Sequence, residues 1–204
     1  MRIPSVLACA LMLVPACAGA QRPDSFVDLY TVPLTALEAA NVSSDTGFGV
    51  GARTRFALGP ELFAQGEVQV NAYQGLGAAD ADGEATTLRA GVGFLTSGDA
   101  RVYGLLEFVQ LGIDIDGIAD GSESGYGLHL GMRGEGDSHL YGQVGFLDIG
   151  DVDGLELLFG GVFAFNPLFG MFVDYRDTRL ETGLGNETNV SDLRIGLRMS
   201  FGAD

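Results

Sequence analysis

Arginines and carboxylates recur at every second or fourth position within apolar, glycine-rich stretches of this 204-residue chain. Arg53 and Arg55 in "GFGVGARTRFAL", Asp174 and Arg176 in "FGMFVDYR", and Arg194 and Arg198 in "LRIGLRMSF" are the clearest cases. Arg89, Arg101, Arg133, Asp28, Glu67, Glu107 and Glu156 follow the same rule, with Gln69, Asn71, Tyr103, His129 and Gln143 between them. Such residues on one enclosed face can pair with one another, because a guanidinium fork matches a carboxylate in two charge-assisted bonds. Alternatively they line a narrow path that leans toward anions, since the arginines in this set outnumber the acids. Acid–base catalysis fits less well. A general base must be oriented beside a nucleophile or an activated water, and the two histidines, His129 and His139, sit in mid-segment and beside a short turn. No catalytic residue and no cofactor is expected, so the chain reads as a non-enzyme.

The remaining carboxylates crowd into glycine-containing loops. Asp114, Asp116 and Asp120, with Glu123, occupy one loop, and Asp148, Asp151 and Asp153 another. These are the weak metal candidates, but their spacing departs from a twelve-residue calcium loop with its glycine and terminal glutamate. The simpler expectation is solvated loops that keep one rim in water, the alternative being divalent ions that bridge them to phosphate groups beside that rim.

Positioning these residues requires strands. Period-two alternation, bounded by glycine-rich or acidic turns, recurs along the chain. "TTLRAGVGF" sets Thr86, Leu88, Ala90, Val92 and Phe94 against Arg89 and glycines, and "YGLHLGMR" sets Tyr126, Leu128, Leu130 and Met132 against His129 and Arg133. Ten such segments lie near 26–32, 47–58, 62–74, 85–95, 100–111, 125–133, 139–147, 155–165, 168–176 and 192–201. Ten is even, as a bacterial barrel with both termini on one side requires, and a tilted strand of about ten residues crosses a bilayer. The connections alternate between tight turns and mostly longer acidic stretches: 33–46, "GLGAADADGE", "GIDIDGIADGSES", the shorter "DIGDVDG" and "DTRLETGLGNETNV". Phe56, Phe94, Phe165, Phe169 and Phe201 fall on the apolar face near the short turns. Phe48, Phe108, Tyr126, Phe146 and Tyr175 fall on the same face toward the long loops. The expected fold class is all-β: a closed antiparallel up-and-down transmembrane barrel of about ten strands, with eight as the alternative. Its apolar faces would meet lipid and its charged faces the lumen.

Composition agrees. The formal net charge is −16 and lysine is absent, yet the mean hydropathy is +0.23. Two such properties must occupy separate surfaces. Nothing in the chain could track a phosphate backbone, so nucleic acid is excluded as a partner. The chain opens "MRIPSVLACALMLVPACAGA", a basic residue and a short apolar run ending in an A-x-A pattern, which reads as a cleaved secretory signal over 1–20, with the barrel domain over 21–204. Cys9 and Cys17 both lie in that leader, so the exported domain has no disulfide or thiol nucleophile. Cys17 roughly fits a lipidation box, although Pro15 spoils the fit.

At this point the chain resembles the small outer-membrane β-barrel proteins of Gram-negative bacteria, the OmpA/OmpX/opacity-like group, in a ten-stranded subset. The resemblance covers residues 26–201 by pattern and turn placement. Leu193, Ile195, Leu197, Met199 and Phe201 are similar to the terminal alternating signal that the insertion machinery reads, although residues 202–204 extend past the aromatic and Met199 stands where an aromatic is common. The resemblance implies a monomer in the cell outer membrane, in contact with lipid, lipopolysaccharide and the barrel-insertion machinery. Ten-stranded proteases of this kind carry Asp and His pairs at the outer rim, where neither histidine of this chain is placed. The implied role is structural or surface-interactive, with a lumen filled by Arg–acid pairs that include Arg53, Arg55, Glu67, Arg89, Glu107, His129, Arg133, Asp174, Arg176, Arg194 and Arg198. A narrow porin-like pore and a soluble periplasmic barrel holding a lipophilic ligand remain the alternatives.

Overall fold

The computed structural model describes residues 25–39, 42–44, 46–76, 81–96, 100–115, 119–183 and 186–201. The predicted leader, with Cys9 and Cys17, and Asp116 lie outside the described residues. The elements are β1 (Ser25–Ala39), β2 (Val42–Ser44), β3 (Gly47–Ala57), β4 (Leu62–Leu76), β5 (Ala81–Leu95) and β6 (Ala100–Ile115). They continue as β7 (Ala119–Gly134), β8 (His139–Ile149), β9 (Val152–Ala164), β10 (Phe169–Thr182) and β11 (Glu187–Phe201). From β3 onward each strand pairs antiparallel with the next, β3 pairs with β1, and β11 returns to β1 from Ser25↔Phe201 to Ala39↔Thr188. The three-residue β2 folds back on the end of β1. The result is a closed barrel of ten long strands with no free edge among them.

Alternation decides which way each side chain points, and the distribution is the reverse of a water-soluble protein. Leu29, Leu128 and Leu197 are 63%, 65% and 66% exposed, whereas Asp28 and Arg194 are fully buried. A hydrated monomer rarely leaves a continuous apolar patch of this kind. Hydrocarbon tolerates it, provided that every backbone group is paired, which closure achieves. Exposed aromatics group near both ends of the girdle. Phe108 packs edge-on to Tyr126 at 6.1 Å on the long-loop side, and Phe163 packs on Phe165 at 5.9 Å beside a short turn.

Two sequence expectations need correction. The stretches read as long loops are largely strand. β1 runs on to Ala39, β6 to Ile115 and β10 to Thr182, so much of each acidic connection is a hairpin arm that projects beyond the apolar girdle. The outward face turns polar there, which hides the lipid-facing signal. The inward face stays packed, with Leu37, Tyr73, Leu76 and Ile115 in one buried cluster and Val109, Leu147, Ile149 and Leu180 in another. That packing carries the ladder upward. Pro33, taken as the start of a loop, instead sits in a register shift between Thr31 and Leu34. A bulge accommodates a residue with no N–H to donate. It also switches the inward parity of β1, from Asp28 and Tyr30 below to Thr35 and Leu37 above.

The arms place like charges directly opposite one another. Glu84 faces Asp114, which faces Asp120, across β5, β6 and β7. Asp148, Asp153, Glu181 and Glu187 form a second such row across β8 to β11. Like charges opposite one another are destabilising by roughly 0.2–1 kcal/mol. Asp114→Asn is therefore expected to raise stability by about that amount at low ionic strength, and urea unfolding in micelles should show the gain shrinking as salt is added. Among the described residues, no group of three or more His, Cys, Asp or Glu side chains is arranged to hold a metal ion.

Candidate functional site

The lumen charges come from nearly every long strand. Each enters from an inward position, and glycines on neighbouring strands clear the space it needs. A side chain at Gly51 would collide with the Tyr30 ring, and one at Gly145 with the His129 imidazole.

Starting at the short-turn end, Asp28 accepts from two arginines on its flanking strands. Arg198 gives Nε to Oδ1 at 2.7 Å and Nη2 to Oδ2 at 2.8 Å, and Arg53 gives Nε and Nη2 to Oδ2 at 3.0 and 2.8 Å. Arg53 also reaches Asp174 Oδ2 at 3.3 Å. Asp174 accepts from Arg194 Nε at 2.5 Å and from the Tyr141 hydroxyl at 2.6 Å.

Glu67 stands at the centre. It accepts two bonds from Arg176, at 2.8 and 2.9 Å, one from Arg194 Nη1 at 2.8 Å, and one from the Tyr30 hydroxyl at 2.8 Å. Arg176 Nε lies 3.8 Å from Glu156, which is held in two bonds by Arg89 at 3.0 and 2.5 Å. Arg89 also donates to Glu107 at 2.9 Å, and His129 Nε2 lies 2.9 Å from the same Glu107 oxygen. Thus one alternating series of guanidinium and carboxylate groups runs from Arg198 to Glu107 through the barrel interior, with the His129 imidazole beside its last carboxylate.

Of the residues singled out from sequence, Arg53, Glu67, Arg89, Glu107, Asp174, Arg176, Arg194 and Arg198 are buried and belong to this series, and the buried His129 adjoins it. Arg55 is buried but stands aside from it. Its Nε and Nη2 donate to Gln65 Oε1 at 3.0 and 2.6 Å, and its guanidinium lies over the Phe63 ring at 4.2 Å. Arg133 is half-buried on the wall of the cavity described below. On the outer side of β11, Leu197 and Ile195 are exposed, while Leu193, Met199 and Phe201 are half-buried beside neighbouring strands. Asp114 and Asp120 are exposed on the arms.

Three features escaped the sequence reading. Asp192 is buried and accepts from Thr35, Gln69 and Asn71 at 2.5, 2.7 and 3.0 Å. It lies two residues before Arg194, so the same alternation would have found it. The hydroxyls of Tyr30 and Tyr141 complete the carboxylate shells, a role that residue type alone does not announce. Finally, the lumen holds apolar layers as well as charge: Phe63, Leu95, Tyr103 and Leu105 cluster toward the short-turn end.

A cavity of about 40 Å³ lies among Phe26, Arg55, Gln65, Tyr103, Arg133, His139 and Arg198. That is room for about three waters.

No family model matches the chain, and no curated protein matches it. Solved structures do. The outer membrane protease OmpT from Escherichia coli aligns with a TM-score of 0.58 at 11% identity, over 89% of this chain and 98% of that one. Neisserial surface protein A aligns with a TM-score of 0.51 at 14% identity, over 87% and 97% respectively. Identity this low speaks to architecture alone. Together with the apolar exterior and the closed ladder of ten long strands, these likenesses show that the chain has the fold of the small outer-membrane β-barrel proteins.

Proposed function

We propose that this protein is a structural or surface-interaction element of the outer membrane whose lumen is closed to ion flow by its own ion pairs. The observation that supports this most is the unbroken series from Arg198 to Glu107, in which one carboxylate satisfies two arginines at Asp28 and again at Glu67. An ion entering there must part several buried pairs at once, and breaking one buried pair already costs about 3–5 kcal/mol. In this reading the chain is exported by a signal within residues 1–20. It is inserted as a monomer through the face carrying Leu193, Ile195, Leu197, Met199 and Phe201, and sits among lipid and lipopolysaccharide.

Reconstitution into planar bilayers tests the closed lumen. The expected trace is flat, without stepwise current. Reproducible steps that vanish when Arg53 and Arg198 are replaced would overturn the reading in favour of a narrow pore, which the arginine-lined cavity would then serve as a vestibule. A soluble periplasmic barrel predicts release without detergent and no change of gel migration on heating, both opposite to what is expected here.

A non-enzymatic role is also part of this reading. One structural neighbour is a protease, but protease chemistry needs a base that substrate can reach. His129 is buried between Glu107 and Glu156, and His139 Nδ1 donates to the Gly136 carbonyl beside a short turn. Neither lies on the projecting arms.

A further inference from the structure

Charge along the lumen is not evenly matched. Toward the arm end, Asp192 is bonded by the neutral side chains of Thr35, Gln69 and Asn71, with no arginine at ion-pair distance among the described residues. Toward the short-turn end the imbalance reverses. Arg53 and Arg198 share Asp28, with Asp174 also within reach of Arg53, and among the described residues Arg55 has no carboxylate at ion-pair distance although it is only 7% exposed. Arg55 cannot escape by losing its proton, because a guanidinium stays charged in proteins. Its neighbours offset part of the burial: the Gln65 carbonyl in the plane, and the faces of Phe63 and Tyr103 at 4.2 and 4.9 Å. These contacts hold the fork in place without neutralising it.

From this geometry we propose that the cavity beside Arg55 is a binding site for one small oxyanion, of the size and charge of inorganic phosphate. Arg55, Arg133 and Arg198 line it, with Gln65, Tyr103 and His139, and the carboxylate on its wall, Glu107, is already held by Arg89. Guanidinium groups on several sides present paired N–H donors, which suit tetrahedral or planar oxyanions. Space for about three waters admits one such group and excludes a nucleotide or a sugar. Gln65, Arg133 and His139 are only half-buried, so the site is reached from the short-turn mouth. An anion here supplies a counter-charge to Arg55. The cavity opens toward the short-turn mouth and reaches inward as far as Arg89 and Arg176; phosphate binding is read by titration and lumen closure by conductance, so the two can fail separately.

The test is calorimetric titration of sodium phosphate into the full chain folded in non-ionic detergent micelles, with ionic strength held constant by sodium chloride. Saturable binding at one phosphate per chain is expected, weakened at least tenfold in Arg55→Met. Arg179→Met, at an exposed arginine on an outer arm, should bind as the unmodified protein does. A second variant guards against misfolding. Gln65→Glu places a carboxylate against Arg55, and it is expected to abolish phosphate binding while retaining heat-modifiable migration and gaining stability. Unsaturable heats, undiminished binding in Gln65→Glu, or equal weakening in Arg179→Met would each overturn the proposal.

Discussion

Glu67→Gln is expected to destabilise the barrel by about 3–5 kcal/mol, the usual consequence of removing one partner from a buried ion pair. The change keeps the side chain's size and removes only its charge. Glu67 accepts four hydrogen bonds, from Arg176, Arg194 and the Tyr30 hydroxyl. Arg176 would retain only Glu156, at 3.8 Å, and Arg194 only Asp174. The glutamine amide would also turn an N–H toward one of these donors. Urea unfolding in lipid vesicles measures the loss. Glu67→Leu combined with Arg176→Met should recover part of it, because an apolar pair of similar volume leaves no stranded charge. A single variant within about 1 kcal/mol of the parent would mean that water reaches this carboxylate and that the network does not hold the barrel together.

The second large effect lies on the outside. Leu130 is 59% exposed, at mid-height on β7, and pairs with Gly104 and Val144. Leu130→Arg is expected to lower stability by about 2–4 kcal/mol in vesicles, as a charge at the midplane does on a lipid-facing strand. The same substitution on a barrel surrounded by water would change little, within about 0.5 kcal/mol. Unfolding measured side by side with an arginine on the outer face of an arm, such as Ser122→Arg, separates the two cases. Equal and small effects at both positions would remove the hydrocarbon from this description. The contrast is useful because it tests the exterior without disturbing any lumen pair.

The two variants probe parts of the molecule that were unequally legible. Leu130 could be assigned outward from "YGLHLGMR" alone, because a strand has a period of two and the polar partners His129 and Arg133 fix the other face. Glu67 could be assigned inward in the same way. Its partners could not. In the ladder Glu67 lies opposite Arg53 on one side and Arg89 on the other, so adjacency would have paired it with those. Instead it reaches across the lumen to Arg176 and Arg194, more than a hundred residues away. Arg53 turns to Asp28 and Asp174, and Arg89 to Glu156. Asp28 with Arg53 and Arg198, and Asp174 with Arg194, are direct ladder neighbours. The bonds from Glu67 to Arg176 and Arg194 and from Glu156 to Arg89 depend instead on angle and reach across the axis, which strand order does not encode.

The arms were misjudged for a related reason. Apolar residues facing lipid announce a strand only as far as the lipid extends. Beyond it, the ladder of β6 and β7 continues to Ile115 and from Ala119, with acidic residues such as Glu84, Asp114 and Asp120 turned outward to water. What holds those rungs is the inward packing of residues such as Leu76, Ile115 and Ile149 from different hairpins. Such contacts exist only once the barrel has closed.

Alternation along each strand is local, since successive side chains must point to opposite faces, and so composition and spacing alone determined that this chain forms about ten strands with one oily and one charged side. Which arginines reach Glu67 and Glu156, how far the hairpins project, and why Arg55 stands apart from the ion pairs were decided only by closure, because those outcomes depend on distances across the barrel between residues far apart in the chain.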